Sequence, residues 1–444
     1  METTLDNSQA AESVHDRLDR WILADGMPMV VDLDKSKGAS LHDARTGRDF
    51  LDFFGCFGSN PIGWNHPRLR SDSFLQKAAG ALANRPSNSD LYSGEMSAFV
   101  QVFGEKAVPE GWEHLFFIDG GALAVENALK VAFDWKVRKN QAAGIDREVG
   151  SRVIHFEHAF HGRSGYTLSL TNTLPDKVLN FPKFEDWPRI QSPALSFPLT
   201  DEVLAEVQEA EAETLASLDR ILSEQGPEIA ALILEPIQCE GGDRYFRTEF
   251  LTALQGKCRS ADVLFILDEV QTGFFSTGKP WCFQHHGLEP DIVAFGKKTQ
   301  QCGIFVGPRV EEVENHCFAM SSRINSTWGG NLVDMIRATE ILSVVEDEGL
   351  EANAASQGAR WLEGMASIAD NHDSVTNVRG LGLILAFDLP DGDARGAFLK
   401  TAEEKGLLGL GCGSRSVRFR PHLAVTAEEV DRCLAVTEAV LSSS

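Results

Sequence analysis

Short, wholly apolar runs alternate with longer helical patterns through the middle of this chain, and that alternation restricts its fold more than any other feature. The stretches "HLFFIDGGALAVENALKVAFDW", "RVIHFEHAFHG", "IAALILEPIQ" and "VLFILDEVQTG" each join a β-rich run to a turn or helix pattern. Such alternation predicts a parallel sheet wrapped by helices. Runs such as "VLFIL" at 263–267 are continuously apolar, as strands are when helices cover both faces of their sheet. Residues 201–224 carry spaced apolar residues among many acids and predict an amphipathic surface helix or pair of helices. After "STWGGN" the pattern changes to helices up to about residue 370. The segments "VRGLGLILAFDL" and "SVRFRPHLAV" then read as strands of a smaller α/β lobe. The first 70 residues, with "LHDARTGRDFLDF" as a short hairpin, are expected to pack with that lobe. The expected division is 1–70, 71–335 and 336–444, within a chain of 444 residues that is long for one simple domain.

Composition narrows the function. A formal net charge of −24 makes the average surface repel nucleic acid and anionic membranes, so neither is an expected partner. The eight cysteines are scattered, with no CxxC pair, and read as reduced thiols. The N-terminus "METTLDNSQAAESVHDRLDR" is polar and acidic without an apolar leader, and no run approaches the roughly 18 apolar residues of a membrane span. A cytoplasmic protein acting on small molecules is the expectation.

Candidate chemistry clusters at strand ends. Asp268 and Glu269 close "VLFILDE", and because successive strand residues face opposite ways, only one can meet a ligand at the strand's carboxyl end. An ionised Asp268 in that setting requires a cation nearby. In "LFFIDGGALAVENALKVAF", residues Val125, Ala128, Leu129, Ala132 and Phe133 show helical spacing, so a helix starts just after Gly120-Gly121-Ala122. Free N–H groups and the dipole at such a start favour a phosphate. Lys297 follows the strand-like "DIVAFG"; a lysine in apolar surroundings has a lowered pKa and becomes a usable imine nucleophile. The rival reading is a metal site at His155, His158 and His161, but HxxHxxH in a β-rich segment splits His155 and His158 between two faces. No metal is expected.

Taken together, "IQCEGGDRYF", "LDEVQTGF", "GLEPDIVAFGKK" and "RINSTWGGN" resemble the class III aminotransferases, pyridoxal phosphate (PLP) enzymes of fold type I. "GGALAVENALK", "AFHGRSGYTLSLTNT", "FGKKTQ" and "STWGGN" are similar to the lysine 6-aminotransferase subgroup, and the likeness runs from about residue 15 to 435. The resemblance implies a large domain with a mostly parallel sheet, plus a smaller α/β domain built from both termini. It implies that Lys297 is the Schiff-base lysine with Lys298 its neighbour, and that Asp268 pairs with the pyridine nitrogen of PLP. Lys297, once freed, carries the proton as general base. Gly121 and Ala122 match the phosphate turn, Phe160 the aromatic stacked on the ring, Gln271 a contact on the 3-hydroxyl side and Glu235 its supporting carboxylate. Asn325 and Thr327 match residues that reach the phosphate from the other subunit, which implies a homodimer with shared active sites; this displaces a glycosylation reading of Asn325-Ser326-Thr327.

The resemblance also implies the substrates L-lysine and 2-oxoglutarate, with L-glutamate and 2-aminoadipate 6-semialdehyde as products. The alternative is another ω-amine donor such as ornithine or a diamine. Arg163 and Arg418 match the carboxylate-binding pair, Arg163 for lysine's carboxylate or glutamate's γ-carboxylate and Arg418 for the α-carboxylate of glutamate or 2-oxoglutarate. Glu240, on a glycine-flanked loop, is expected to neutralise Arg418 while lysine is bound and to swing away for 2-oxoglutarate, because a buried charge stripped of its partner costs on the order of 3–5 kcal/mol. The chain departs from the family pattern at Cys239, at His422 and through "FFGCFGSNPIG".

Overall fold

The structure, a computed structural model, describes residues 11, 13–145 and 147–443. The first ten residues, which belong to the polar N-terminus discussed above, lie outside the described residues. A seven-stranded sheet forms the centre, in the order His114–Ile118, Cys302–Val306, Ile292–Phe295, Leu264–Asp268, Ile229–Leu234, Arg152–Phe156 and Arg189–Ile190. Only Cys302–Val306 runs against its two neighbours; the other pairings are parallel.

The continuous apolar runs have the expected cause. In Leu264–Asp268, Leu264 and Ile266 join the buried cluster that holds Val125, Leu129 and Ala132 of the helix Gly121–Ala142. Phe265 and Leu267 point the other way, into the cluster of Phe103, Phe295, Phe305 and Trp281. Both faces of the strand are therefore dry, and each such side chain contributes about 1.5–3 kcal/mol when fully buried. The acidic stretch after residue 200 forms one continuous helix, Asp201–Gln225, with Thr200 accepting the N–H of Val203 at its start.

A four-stranded antiparallel sheet, in the order Thr376–Leu381, Ile384–Asp388, Ser416–Phe419 and Leu410–Cys412, forms the C-terminal lobe. The hairpin Ser40–His42 and Asp49–Asp52 forms as expected, and its second strand pairs in parallel with Leu407–Leu408. We propose 1–70, 71–335 and 336–444 as the domain division, supported by this joining of N- and C-terminal strands. No helix among the described residues is long and apolar enough to cross a membrane.

Packing within the C-terminal lobe is tight. The helix Leu350–Ala369 approaches the turn at Gly382 so closely that a Cβ on Gly358 would sit 2.1 Å from the Gly382 carbonyl oxygen. Gly256, in the helix Thr248–Ser260, has nothing within 4 Å of the same position. Gly358→Ala is expected to destabilise the protein by about 1–3 kcal/mol through overpacking. Gly256→Ala is expected to stabilise it by about 0.5–1 kcal/mol through helix propensity. Thermal melting of the two variants checks the opposite signs, and a melting temperature for Gly358→Ala at or above wild type contradicts the close approach.

Candidate active site

Strand register builds the site. Ala294 lies opposite Asp268 in the parallel pair of strands, and the N–H of Glu269 donates to the Ala294 carbonyl at 2.9 Å. Lys297, three residues beyond Ala294, is thereby delivered beside the carboxyl end that carries Asp268. A cavity of about 320 Å³ at this edge brings together Gly121, Ala122, Phe160, Arg163, Glu235, Asp268, Gln271 and Lys297, with His161, Gly162 and Val270 completing the lining. Burial lowers the pKa of Lys297, and the positive charge of Arg418 lowers it further, which favours a neutral, nucleophilic amine.

Asp268 faces the cavity and Glu269 faces away, as strand alternation requires. The buried ring of His161 donates from Nδ1 to Asp268 Oδ2 at 2.8 Å, and the N–H of Val270 donates to Oδ1 at 3.1 Å. Glu269 accepts from Thr272 Oγ1 at 2.5 Å and from the N–H of Phe283 at 2.8 Å; burial nevertheless pushes its acid up to about 7. His161 is the functional residue that the sequence reading weighed only as a metal ligand. The need of a strand-end carboxylate for a donor was the available signal.

The helix Gly121–Ala142 begins at the cavity with no side-chain cap on its free N–H groups, after Gly120 at φ 102°. Glu126 of this helix organises the neighbouring loop: its carboxylate accepts from Ser164 Oγ at 2.8 Å and from the N–H of Tyr166 at 2.7 Å. That loop carries Phe160 and Arg163. Glu235 accepts the N–H groups of Phe160 at 3.0 Å and Cys239 at 3.2 Å; burial, then the nearby charge of Asp268, raises its pKa well above the usual carboxylate value.

The two arginines sit in opposite circumstances. Arg163 lies exposed at the cavity, with no ion-pair partner among the described residues. Arg418 is buried, pairs with Glu240 at 2.5 Å and donates to Gln271 Oε1 at 3.2 Å. Lys177, which sequence reasoning did not single out, also pairs with Glu240 and lies 5.2 Å from the centre of the Phe160 ring. Burial alone would raise the pKa of Glu240, but Arg418 and Lys177 outweigh it and hold the group below its ordinary value. The backbone of the loop is pinned, because Arg379 donates to the carbonyls of Gly242 at 2.5 Å and Asp243 at 2.7 Å. Any swing of Glu240 is thus a side-chain motion rather than a loop motion.

Other candidates lie elsewhere. Asn325 and Thr327 are exposed on a loop outside this cavity. His155 ends up in a strand, His158 in a turn at φ 62° and His161 on Asp268. Among the described residues, the grouping close enough to hold a metal is His114, Glu311 and His316, at the far end of the strand that leads to Gly120. There the Glu311 carboxylate already accepts from both rings. Cys239 is buried beneath the site, and His422 is buried with neither ring nitrogen hydrogen-bonded among the described residues, its pKa pushed down to about 3 by burial.

The donor set fits PLP. An uncapped helix start suits its phosphate, Phe160 and Val270 supply apolar walls, Asp268 suits a protonated ring nitrogen, and Lys297 supplies the amine. A family profile described as Aminotransferase class-III matches residues 22–441. The chain is 47% identical over 440 residues to an L-lysine-epsilon aminotransferase of Amycolatopsis lactamdurans, covering 98% of this chain and 96% of that protein. It is 30% identical over 423 residues to the mitochondrial 4-aminobutyrate aminotransferase of Homo sapiens, covering 90% and 82%. The solved structure of lysine aminotransferase from M. tuberculosis in the internal aldimine form superposes with a TM-score of 0.95 at 46% identity, covering 98% of this chain and 99% of that one. With this profile match and these identities over nearly its whole length, the chain belongs to the class-III aminotransferase family.

Proposed function

We propose that this chain is a PLP-dependent L-lysine 6-aminotransferase, which moves the ε-amino group of lysine to 2-oxoglutarate. The products are 2-aminoadipate 6-semialdehyde and glutamate. The observation that carries the reading is the pairing of buried Arg418 with Glu240 while Arg163 stays open. Such a site offers one free carboxylate anchor to a substrate with one carboxylate. It reveals a second anchor only to a substrate whose own carboxylate competes with Glu240.

PLP, when bound, supplies the electron sink that makes a C–H proton beside the amino group removable. The chain's residues do the rest. Lys297 Nζ takes and returns that proton, which its apolar, Arg418-facing environment suits it to do. Asp268, with one oxygen occupied by His161 and the other by the N–H of Val270, is held as a fixed acceptor. Arg163 holds the distal carboxylate, so lysine is oriented with its far amine toward Lys297. Lysine's own α-amine is thereby kept away from the reacting end.

Asn325 and Thr327 act across a homodimer in this proposal, each serving the partner's cavity; their exposure on a loop outside the chain's own cavity supports it. The eight unpaired thiols fit a reducing compartment such as the cytoplasm. An amine-donor screen with 2-oxoglutarate as acceptor tests the substrate assignment, and a preference for ornithine or a diamine over lysine overturns it.

Borohydride reduction and peptide mapping of the PLP-loaded protein are expected to place the pyridoxyl label on Lys297. Lys297→Ala should lose the label and Lys298→Ala should keep it, whereas a label on Lys298 reverses the assignment. Asp268→Asn should bind PLP yet slow the single-turnover lysine half-reaction by roughly a hundredfold or more. His161→Ala should cost less than Asp268→Asn, and His161→Gln should recover part of that loss. An unchanged half-reaction in Asp268→Asn makes the carboxylate structural. For Glu240→Ala, the lysine half-reaction should fall by about tenfold while the glutamate half-reaction falls less. Equal losses with both substrates, measured separately, dismiss the gate.

A further inference from the structure

The segment that departs from the family pattern near residue 56 has an unusual backbone. Gly55, Cys56, Phe57 and Gly58 occupy consecutive left-handed conformations, with φ of 54°, 51°, 58° and 79°. Cys56 and Phe57 carry side chains, so each bears a steric penalty there that surrounding contacts must overcome. The turn's internal bonds, Ser59 N–H to the Cys56 carbonyl at 3.2 Å and Asn60 N–H to the Gly55 carbonyl at 3.0 Å, do not explain its fixed seat.

Two buried charged groups bracket it. Asp52 accepts the N–H of Gly55 at 2.7 Å, at the start of the turn. Lys298 Nζ donates to the Gly58 carbonyl at 3.0 Å, at its end, and Gln300 Nε2 donates to the next carbonyl, that of Ser59, at 3.0 Å. Lys298 is only 3% exposed, and nothing in the reaction as derived above uses it. The turn in turn rests on Arg420. Its Gly55 packs so near the Arg420 carbonyl that a Cβ would lie 2.0 Å from the oxygen, and a Cβ on Gly58 would lie 3.5 Å from the aliphatic stem of Arg420. Arg420 Nε donates to Gln271 Oε1 at 3.1 Å, the same oxygen that accepts from Arg418 at 3.2 Å. A continuous set of contacts therefore runs from Lys298, through the left-handed turn, Arg420 and Gln271, to Arg418.

We propose that Lys298 is a positioning residue: by holding the Gly58 carbonyl it keeps the strained turn 55–58 closed on Arg420, and so keeps Arg418 aligned for a substrate α-carboxylate. This rests on the assignment of Arg418 to that carboxylate, and it explains why the residue after Lys297 is a lysine. A hydrophobic residue of similar length would fill the space without supplying the donor. The turn would then relax toward right-handed or extended backbone, and Arg420 would lose the surface it packs on.

Three forms of the PLP-loaded enzyme test this: wild type, Lys298→Met and Lys298→Gln, the last keeping a donor for the Gly58 carbonyl. Two readouts are taken, hydrogen exchange over residues 53–60 and steady-state kinetics. In Lys298→Met, exchange over 53–60 should accelerate, and KM for 2-oxoglutarate should rise about tenfold with kcat changed far less. Lys298→Gln should return both toward wild type. Unchanged exchange in the methionine variant, a loss confined to kcat, or a glutamine variant no better than methionine overturns the proposal. If Lys298→Met yields no folded protein, the glutamine variant decides alone: wild-type exchange and KM support a donor role, and altered values in both reject it. Should the wild type not use 2-oxoglutarate, the substrate reading fails on its own, while the exchange arm still decides whether Lys298 holds the turn.

Discussion

The parallel pairing of Leu264–Asp268 with Ile292–Phe295 is the constraint from which the site follows. Both strands are buried on two faces, so their register is fixed by side-chain packing on each side, and a one-residue slip would drive every apolar side chain to the wrong cluster. Because Ala294 lies opposite Asp268, the chain leaving Phe295 can only arrive beside that carboxylate. The next strand, Cys302–Val306, runs back antiparallel, so the reversal between them must be tight, and Lys297 and Gln300 take positive φ within it. Lys297 thus stands on a bend whose position is dictated by core packing rather than by contacts in the cavity.

Around that fixed point, the buried guanidiniums of Arg379, Arg418 and Arg420 are each closed by a carboxylate, and the guanidinium of Arg163 is not. Arg420 is matched by Asp243 at 2.5 Å, Arg379 by Asp388 at 2.9 Å and Arg418 by Glu240, while Asp268 is bonded to His161. A buried guanidinium without a partner is expensive, so each of these pairs protects the resting fold. Arg163 is the exception, and its exposure makes an open charge tolerable. In the proposed reading, this asymmetry between a covered and an uncovered arginine is what would let one cavity distinguish substrates bearing one carboxylate from those bearing two.

Much of this was legible in the sequence, for physical reasons that differ from residue to residue. Lys297, Asp268 and the Gly120-Gly121 helix start could be read because strand ends and helix starts in α/β folds obey strong local rules. His161 could not, since the β-rich segment before it suggested a strand continuing past His158; the chain instead turns there, and His161 lands on a loop against Asp268. Lys177 stands in an irregular stretch with no periodicity, so nothing local announces that it reaches Glu240. The glycines around Glu240 suggested a mobile loop, whereas Arg379, far along the chain, clamps its carbonyls. The left-handed turn at 55–58 was equally hidden, because Cys56 and Phe57 are not residues that advertise positive φ. Long-range contacts decide all four cases.

The cavity has walls of mixed ownership. Lys297 and Arg163 belong to the large sheet and its loops, while Arg418 rides on Ser416–Phe419 of the C-terminal sheet, and the two sheets are fastened by the Gly382 turn seated on Ser276 and Thr277, by the N–H of Leu383 bonded to the Ser276 carbonyl, and by Tyr245 bonded to the Ile384 carbonyl. In the proposed reading, the span between Arg163 and the buried guanidinium of Arg418, the two carboxylate anchors, is therefore a caliper whose jaws lie on different sheets. Substitutions at the fastening points, well away from any substrate, would reset the chain length that the caliper measures, so a change in substrate size preference can arise without altering a single residue that touches the substrate.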